Sequence, residues 1–172
     1  MFLVSDSATT PAKTAQPAVP VELYTDGSSR GNPGPGGFGV ILKYKGMSKQ
    51  LSQGFRLTTN NRMELLAVIT GLEALTRTDL PVTVFSDSKY VIDGIEKGWA
   101  LGWQKKGFAG KKNPDLWKRL LALTKKHKVR WVWVKGHAGH PENELCDELA
   151  VAAAMGKNLL SDHEYEAEAR RK

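Results

Sequence analysis

The stretch that decides the fold of this chain is Val21-Glu22-Leu23-Tyr24-Thr25-Asp26-Gly27-Ser28-Ser29-Arg30-Gly31-Asn32-Pro33-Gly34-Pro35-Gly36-Gly37-Phe38-Gly39. Its first six residues predict a β-strand in which Tyr24 and Asp26 share one face, because side chains alternate along a strand. Glycine, proline and serine then predict a loop whose backbone is barely covered by side chains. Asp26 is therefore expected at a strand mouth, where functional carboxylates of α/β proteins gather. The alternative is an ordinary turn aspartate before Gly27.

The glycines of this stretch also match a dinucleotide-binding pattern, G-x-G-x-x-G, at Gly34, Gly36 and Gly39. That pattern must open a helix if its glycines are to hold a pyrophosphate. Here it leads into Val40-Ile41-Leu42-Lys43-Tyr44, which is typical of a strand. The sequence therefore argues against a nicotinamide site.

Composition limits the class of protein. A chain of 172 residues is long enough for one domain with its own core, and its net charge of +7 favours polyanionic partners. A single cysteine, Cys146, excludes an internal disulfide and fits a reducing compartment. No apolar run approaches the roughly 20 residues of a membrane span, and the apolar residues 2–4 are too few for a secretory signal. We therefore predict a cytoplasmic protein without a membrane segment.

Residues 1–20 are rich in Thr, Ala, Pro and Ser without periodicity, which predicts a disordered N-terminal arm. Residues 38–45 and 47–56 are typical of two further strands on either side of Gly46. The first three strands are thus predicted to form an antiparallel meander.

Helices and two more strands follow. Residues 58–61 form a helix-start cluster, and the next apolar residues recur at helical spacing. The polar residues 156–172 are expected to be loosely ordered. The elements in between are a strand at 81–87, a helix from Ser88, a helix from Asn113, a strand at 129–134 and a helix capped by Asn143.

Three further acidic residues stand where chemistry is plausible. Glu64 lies at the edge of the apolar face of the first helix, where a charge needs a partner; a capping box from Asn61 is the alternative. Asp87 ends a strand as Asp26 does, although it would be unremarkable as an N-cap. Asp147 lies near the start of the last helix, where it would also complement the helix dipole.

Residues 98–114 combine aromatic and basic side chains. Such interleaving favours a protrusion that grips a phosphate backbone, and the alternative is ordinary solvated surface. The residues concerned are Trp99, Trp103, Phe108, Lys105, Lys106, Lys111 and Lys112.

Residues 136–141 form a glycine-flanked loop with two histidines, His137 and His140. A zinc site is disfavoured, because no third histidine lies nearby and Cys146 stands alone.

Together these segments resemble the bacterial type 1 ribonuclease H family. The resemblance runs in order from about residue 21 to residue 155, and five motifs in series are far more specific than any one of them. The matching motifs are residues 24–28, 31–37, 58–65, 86–91 and 134–143, followed by Asp147 on the last helix.

The resemblance implies an α/β fold, a five-stranded mixed sheet in the order 3-2-1-4-5 flanked by helices. It implies a catalytic domain at 21–155 in a monomeric endonuclease that cuts the RNA strand of RNA/DNA hybrids without strong sequence specificity. The products would carry 5′-phosphate and 3′-hydroxyl ends. Two Mg²⁺ ions, or Mn²⁺, would be held by Asp26, Glu64, Asp87 and Asp147, and His137 would be the mobile catalytic histidine.

The resemblance also suggests how a hybrid is recognised. The 2′-hydroxyl distinguishes RNA from DNA, and polar groups near the first loop suit minor-groove contacts to it: Gly31, Asn32, Asn60 and Asn61. Thr59 and Asn60 resemble the family's pocket for a DNA-strand phosphate. Lys89 stands where some relatives carry Gln and is expected to alter a groove contact. The family's substrate-binding handle corresponds to the basic segment with Trp99, Trp103, Lys105, Lys106, Lys111 and Lys112.

The chemistry is plausible without the family name, because four converging carboxylates repel one another unless divalent cations lie between them, and magnesium prefers oxygen ligands. Three rivals remain open. A DNA nuclease of related fold is disfavoured by residues 31–37 and by the handle. A hybrid-binding module that does not cut would not need all four carboxylates. A structural cation-binding domain would not need His137 or the basic segment.

Overall fold

The computed structural model describes residues 18–136 and 139–171. The strands are β1 (Val21–Ser29), β2 (Gly34–Tyr44), β3 (Met47–Thr58), β4 (Pro81–Ser86), β5 (Lys128–Trp133) and β6 (Leu159–Leu160). The helices are α1 (Asn60–Glu73), α2 (Lys89–Glu96), α3 (Trp99–Lys105), α4 (Pro114–Lys126), α5 (Pro141–Met155) and α6 (His163–Arg170). No helix within the described residues has the length and apolar character needed to cross a bilayer.

The strands form one mixed sheet in the order β5-β4-β1-β2-β3-β6. The first three strands are antiparallel, whereas β4 and β5 run parallel to β1, and this confirms the predicted fold class and the order of the first five strands. The sixth strand was not predicted. It arises because Leu159–Leu160 pairs in parallel with Gly54 and Phe55 of β3.

Helices cover both faces of the sheet. On one face α1 packs against β1 and β2, with α4 behind it, and on the other α5 packs across β1, β2 and β3. The alternation predicted for β1 follows this division, because Val21 and Leu23 join the larger core and Tyr24 joins the smaller one. The apolar residues predicted for one face of the first helix are all buried, although the last of them lies just beyond the end of α1: Leu65, Val68, Ile69, Leu72 and Leu75.

The glycine-rich stretch lies inside the sheet, and the prediction of a long open loop is wrong. Only residues 30–33 separate β1 from β2. A methyl group at Gly39 would stand 2.3 Å from the carbonyl oxygen of Cys146, and one at Gly54 would stand 2.1 Å from that of Ala153. The absence of side chains therefore lets α5 lie directly on β2 and β3.

The structure confirms the predicted start of the first helix at residues 58–61 and corrects the predicted start of the last one. Thr59 caps α1, since its hydroxyl accepts a hydrogen bond from the Arg62 N–H at 3.2 Å, so the capping box from Asn61 is not the arrangement found. The final helix begins at Pro141 rather than after Asn143, because proline suits the first helical position. Asn143 consequently lies within the first turn of α5.

The C-terminal segment is ordered, and the expectation of a loose tail is wrong for residues 156–171. It forms β6 and α6, and Asp162 between them is buried against Arg62. A buried guanidinium requires anionic partners, and the tail supplies one. The predicted N-terminal arm falls largely on residues 1–17, which lie outside the described residues.

Candidate active site

Asp26 and Asp87 come together because their strands are parallel neighbours. β1 and β4 pair from Val21 with Val82 to Tyr24 with Phe85, so both carboxylates lie just past the paired region at the same edge. Glu64 joins them from α1. One carboxylate oxygen from each of the three lies within 4.8 Å of the others.

Gly27 determines how closely α1 approaches Asp26. A methyl group on Gly27 would stand 2.4 Å from the backbone nitrogen of Glu64 and 2.5 Å from the carbonyl carbon of Met63. β1 continues to Ser29, so Asp26 is not a turn residue. The glycine after Asp26 is needed for helix packing, and this packing places Glu64 beside Asp26.

Asp147 reaches the same site from the second turn of α5. It lines one pocket together with Asp26 and Asp87, but it is not part of the close group formed by those two and Glu64. The rest of the wall comes from Val134, Lys135, Gly136, His140, Asn143 and Glu144. Asp26 and Asp87 thus belong both to the pocket that Asp147 lines and to the close group that Glu64 completes.

Burial and mutual repulsion perturb these acids. Burial, followed by the charge of Asp87, raises the pKa of Asp26 to about 7. Burial and the charges of Asp26 and Asp87 raise the pKa of Glu64 well above its ordinary value. Within the described residues, Glu64 Oε1 is buried without a hydrogen-bond partner. An unpartnered carboxylate oxygen among other carboxylates is expensive unless a cation neutralises it.

The donor set fits a hard divalent cation. Asp26, Glu64, Asp87 and Asp147 offer only oxygen atoms, which are the ligands that Mg²⁺ and Ca²⁺ prefer. Such an ion would neutralise the buried Oε1 of Glu64 and supply the interaction that this oxygen lacks within the described residues. Asn143 lines the same pocket and adds a further oxygen, its Oδ1, which is also buried and has no hydrogen-bond partner in the part of the chain that the structure describes.

We predict that Asp26→Asn raises the melting temperature in EDTA, in a pH-dependent manner. The folded-state pKa of about 7 lies above the ordinary 3.8. The contribution of Asp26 to stability is therefore fully present below about pH 4 and is lost as the pH rises toward 7. The ionised Asp26 side chain therefore destabilises the fold by at most about 4 kcal/mol at pH 8. Because several acids share the repulsion, we expect the substitution to raise the melting temperature by only a few degrees.

Thermal melts in EDTA at pH 4 and pH 8 test this. The variant and the unmodified protein should melt together at pH 4 and separate at pH 8, and magnesium should narrow the gap. Asp79→Asn removes the same charge from an exposed ion pair with Arg77 and should not raise the melting temperature at either pH. A lower melting temperature for Asp26→Asn at pH 8 would make Asp26 a structural acceptor.

The predicted groove residues next to the first loop form a hydrogen-bonded group. Asn60 Oδ1 accepts from the Ser29 N–H at 2.7 Å, and the Asn60 N–H donates to Asn32 Oδ1 at 3.2 Å. Gly31 takes part through its carbonyl oxygen, which accepts from the Ser29 hydroxyl at 2.7 Å. These bonds tie the start of α1 to the turn between β1 and β2.

A second pocket is lined by predicted substrate-binding residues that are far apart in the sequence. Asn32, Thr59 and Asn61 share it with Lys112, although Lys112 belongs to the basic segment. The walls also include Asn113, Tyr165 and Glu168, which the sequence analysis did not select. Tyr165 and Glu168 belong to α6, so they were missed because the tail was expected to be loose.

The basic segment is built on α3 and the loop after it. Trp99 is 44% exposed, whereas Trp103 packs edge-on against Trp117 with ring centroids 5.7 Å apart. Phe108 is only 5% exposed, so it belongs to the core and is not available to a ligand. Lys111 lies over the Trp103 ring at 5.2 Å. Exposed lysines surround this frame: Lys105, Lys106, Lys111 and Lys112.

Two predicted site residues remain, Lys89 and His137. Lys89 begins α2 just after Asp87, and its ammonium lies 4.5 Å from the ring centroid of Trp133. His137 and the following residue lie outside the described residues. The second histidine, His140, occupies the N-cap position of α5 and lines the pocket.

Sequence reasoning missed Asn143 as a pocket residue. A signal was present, since Asn143 lies four residues before Asp147 and residues four apart share one face of a helix. Asn143 was overlooked as a pocket residue because it was assigned as the cap of the last helix.

Comparisons with known proteins show the family of this chain. A family model for RNase H matches residues 18–155. The chain belongs to the ribonuclease H family. A ribonuclease H from Desulforamulus reducens is 58% identical to it over 147 residues, which cover 83% of this chain and 92% of that relative.

Solved ribonuclease H structures share the fold. LC9-RNase H1, a type 1 RNase H with the type 2 active-site motif, is similar with a TM-score of 0.71 at 34% identity, covering 91% of this chain and 83% of that one. LC11-RNase H1, solved in complex with an RNA/DNA hybrid, is similar with a TM-score of 0.59 at 26% identity, covering 78% of this chain and 96% of that one.

Proposed function

We propose that this ribonuclease H family protein is an endonuclease that hydrolyses the RNA strand of RNA/DNA hybrids and leaves 5′-phosphate and 3′-hydroxyl ends. The observation that carries the proposal is the group formed by Asp26, Glu64 and Asp87, whose oxygens lie within 4.8 Å of one another. Family membership and the hybrid bound by LC11-RNase H1 support the choice of substrate.

Asp26, Glu64, Asp87 and Asp147 are proposed to hold two magnesium ions. When bound, such ions supply an activated water and stabilise the charge on the leaving oxygen. The protein's part is to keep these carboxylates at one point, through the parallel pairing of β1 with β4 and the close contact of Gly27 with α1. The repulsion stored there without cations, evident in the raised pKa of Asp26, favours their binding.

Substrate selection is assigned to two surfaces. The polar groups around the β1–β2 turn and the start of α1 would contact 2′-hydroxyls of the RNA strand and a phosphate of the DNA strand. The basic segment would grip the backbone through its exposed lysines, as the net charge of +7 favours. Because one set of contacts requires an RNA strand and the other a DNA strand, the protein would prefer a hybrid to either pure duplex without reading the base sequence.

His137 is proposed to transfer a proton or to help release the phosphate product. We predict that His137→Ala lowers turnover by roughly 10²-fold, the scale for a lost general acid–base group, with little change in KM. His140→Ala is the matched control and should lower turnover much less. Steady-state cleavage of a labelled hybrid measures both variants, and the opposite ranking would mean that His140 carries this role.

The catalytic domain is proposed to comprise residues 21–155 and to act as a cytoplasmic monomer. Residues 1–20 would be dispensable for cleavage. The segment from residue 156 onward contributes to the fold through β6 and α6.

The deciding experiment incubates the protein with a labelled hybrid, a DNA duplex and an RNA duplex, each with magnesium, with manganese or with EDTA. We expect cleavage of the RNA strand of the hybrid alone, and none in EDTA. Equal cleavage of the DNA duplex would favour a resolvase-like or integrase-like nuclease. Tight hybrid binding without cleavage would favour a binding module, and neither binding nor cleavage would favour a structural cation-binding domain.

A further inference from the structure

Trp133 is an exposed aromatic residue beside the carboxylate pocket. It ends β5, and 45% of its surface is exposed, so core packing does not account for an indole at this position. Its Nε1–H donates a hydrogen bond to the backbone carbonyl oxygen of Asp87 at 3.2 Å. The indole therefore contacts the chain segment that carries one of the central carboxylates.

This hydrogen bond joins two segments that both line the pocket. The next residue repeats the connection, since the Val134 N–H donates to the Ser86 carbonyl oxygen at 2.9 Å. Further along, Gly136 lies so near Asp87 that a methyl group on it would stand 3.2 Å from Oδ2. The position of the Asp87 carboxylate thus depends on how the end of β5 is held against the end of β4.

Lys89 lies over the same indole. Its ammonium is 4.5 Å from the Trp133 ring centroid, and the lysine begins α2, two residues after Asp87. A cation over an indole is attracted by the negative face of the ring. The exposed lysine side chain is therefore held over the indole, in the segment that directly follows Asp87.

We propose that Trp133 is a positioning residue for the hybrid-cleaving reaction: it holds Asp87 through the main-chain carbonyl and presents Lys89 to a backbone phosphate of the substrate near the cleavage point. The inference rests on the proposed function. The two roles use different parts of the indole, the N–H for Asp87 and the ring face for Lys89, and so they are separable by substitution.

Trp133→Phe removes the N–H and keeps an aromatic face. We expect a loss of about 5-fold in kcat, the scale of one hydrogen bond, with KM within about twofold of the unmodified protein. Lys89→Met removes the charge and keeps the length of the chain. It should raise KM about 3-fold and reduce the slope of log KM against log salt by about 1, while kcat hardly changes.

Trp133→Leu should show both effects, and adding Lys89→Met to it should raise KM little further. Trp131→Phe is the matched control, because Trp131 lies on the same strand but packs against the core. Its kcat and KM should stay unchanged even where its melting temperature falls. All variants are assayed well below the lowest melting temperature of the set.

A Trp133→Phe variant with unchanged kcat would overturn the proposal, and so would an equal loss in Trp131→Phe, which would indicate general destabilisation. An unchanged salt slope in Lys89→Met would overturn the phosphate contact. Absence of hybrid cleavage by the unmodified protein would overturn the proposed function together with this inference, whereas normal cleavage with unaffected variants overturns this inference alone.

Discussion

Asp87→Asn is expected to lower the turnover of RNA/DNA hybrids by about 10³-fold or more. A loss of this size corresponds to about 4 kcal/mol of transition-state stabilisation, which the bound cations would supply. The substitution keeps the shape of the side chain but removes the charge that completes the group with Asp26 and Glu64. Hybrid binding measured in calcium should survive, because the contacts assigned to the basic segment and the β1–β2 turn are untouched. Steady-state kinetics and fluorescence anisotropy provide the two measurements.

Asp93→Asn is the matched control for this loss. Asp93 lies on α2 and pairs with Lys97 at 3.7 Å on the helix surface, so the same change of charge should leave turnover unchanged. An Asp87→Asn protein that retains turnover would refute the catalytic role of Asp87. Loss of binding together with turnover would indicate a disturbed fold.

Arg62→Met is expected to destabilise the protein by about 3–5 kcal/mol, the usual cost of leaving a buried ion pair without one partner. Arg62 is 3% exposed and donates to both oxygens of Asp162, at 2.7 and 2.9 Å, and to both oxygens of Asp115, at 2.9 and 2.7 Å. For a domain of this size the melting temperature should fall by roughly 10 °C.

The effect should depend on pH. Burial alone would raise the pKa of Asp115, but the hydrogen bonds and charge of Arg62 outweigh it and lower that pKa. Its contribution to stability is therefore present above about pH 4 and is lost as the pH falls further, so the gap between the two proteins should narrow in acid.

Arg119→Met is the control, because Arg119 pairs with Glu73 at 2.8 Å while both side chains are 48% exposed. An exposed pair of this kind contributes about 1 kcal/mol or less. If Arg62→Met melts like Arg119→Met, the network does not hold the C-terminal segment to the domain.

The four candidate carboxylates could be selected from the sequence because each lies at the end of a predicted strand or at a defined position of a predicted helix. Asp26 and Asp87 follow runs with strand periodicity, and Glu64 and Asp147 lie at defined positions of helices. Parallel pairing of β1 with β4 then brings the two aspartates to one edge. The order of the first five strands came with the family resemblance rather than from periodicity.

Two features of the fold depend on tertiary contacts that local sequence patterns do not predict: the packing of the glycines and the order of the C-terminal segment. Gly37, which was predicted in an open loop, lies in β2 under α5, where a methyl group on it would stand 2.6 Å from the carbonyl oxygen of Ala150. Only the packed structure shows this close approach. The tail was expected to be loose because its residues are polar. Its anchor is Arg62, 100 residues earlier in the chain, and no periodicity connects positions so far apart.

The sequence by itself therefore determined the family, through five short motifs in series, and the fold class that the family resemblance implies. Strand alternation and helical spacing made the four acidic residues candidates, and the resemblance grouped them into one site. The tertiary structure alone decided the sixth strand, the contact of Trp133 with Asp87, and the pocket shared by Lys112 and α6. These features depend on which surfaces meet, and that is set by the shape and charge of distant segments once the core has formed.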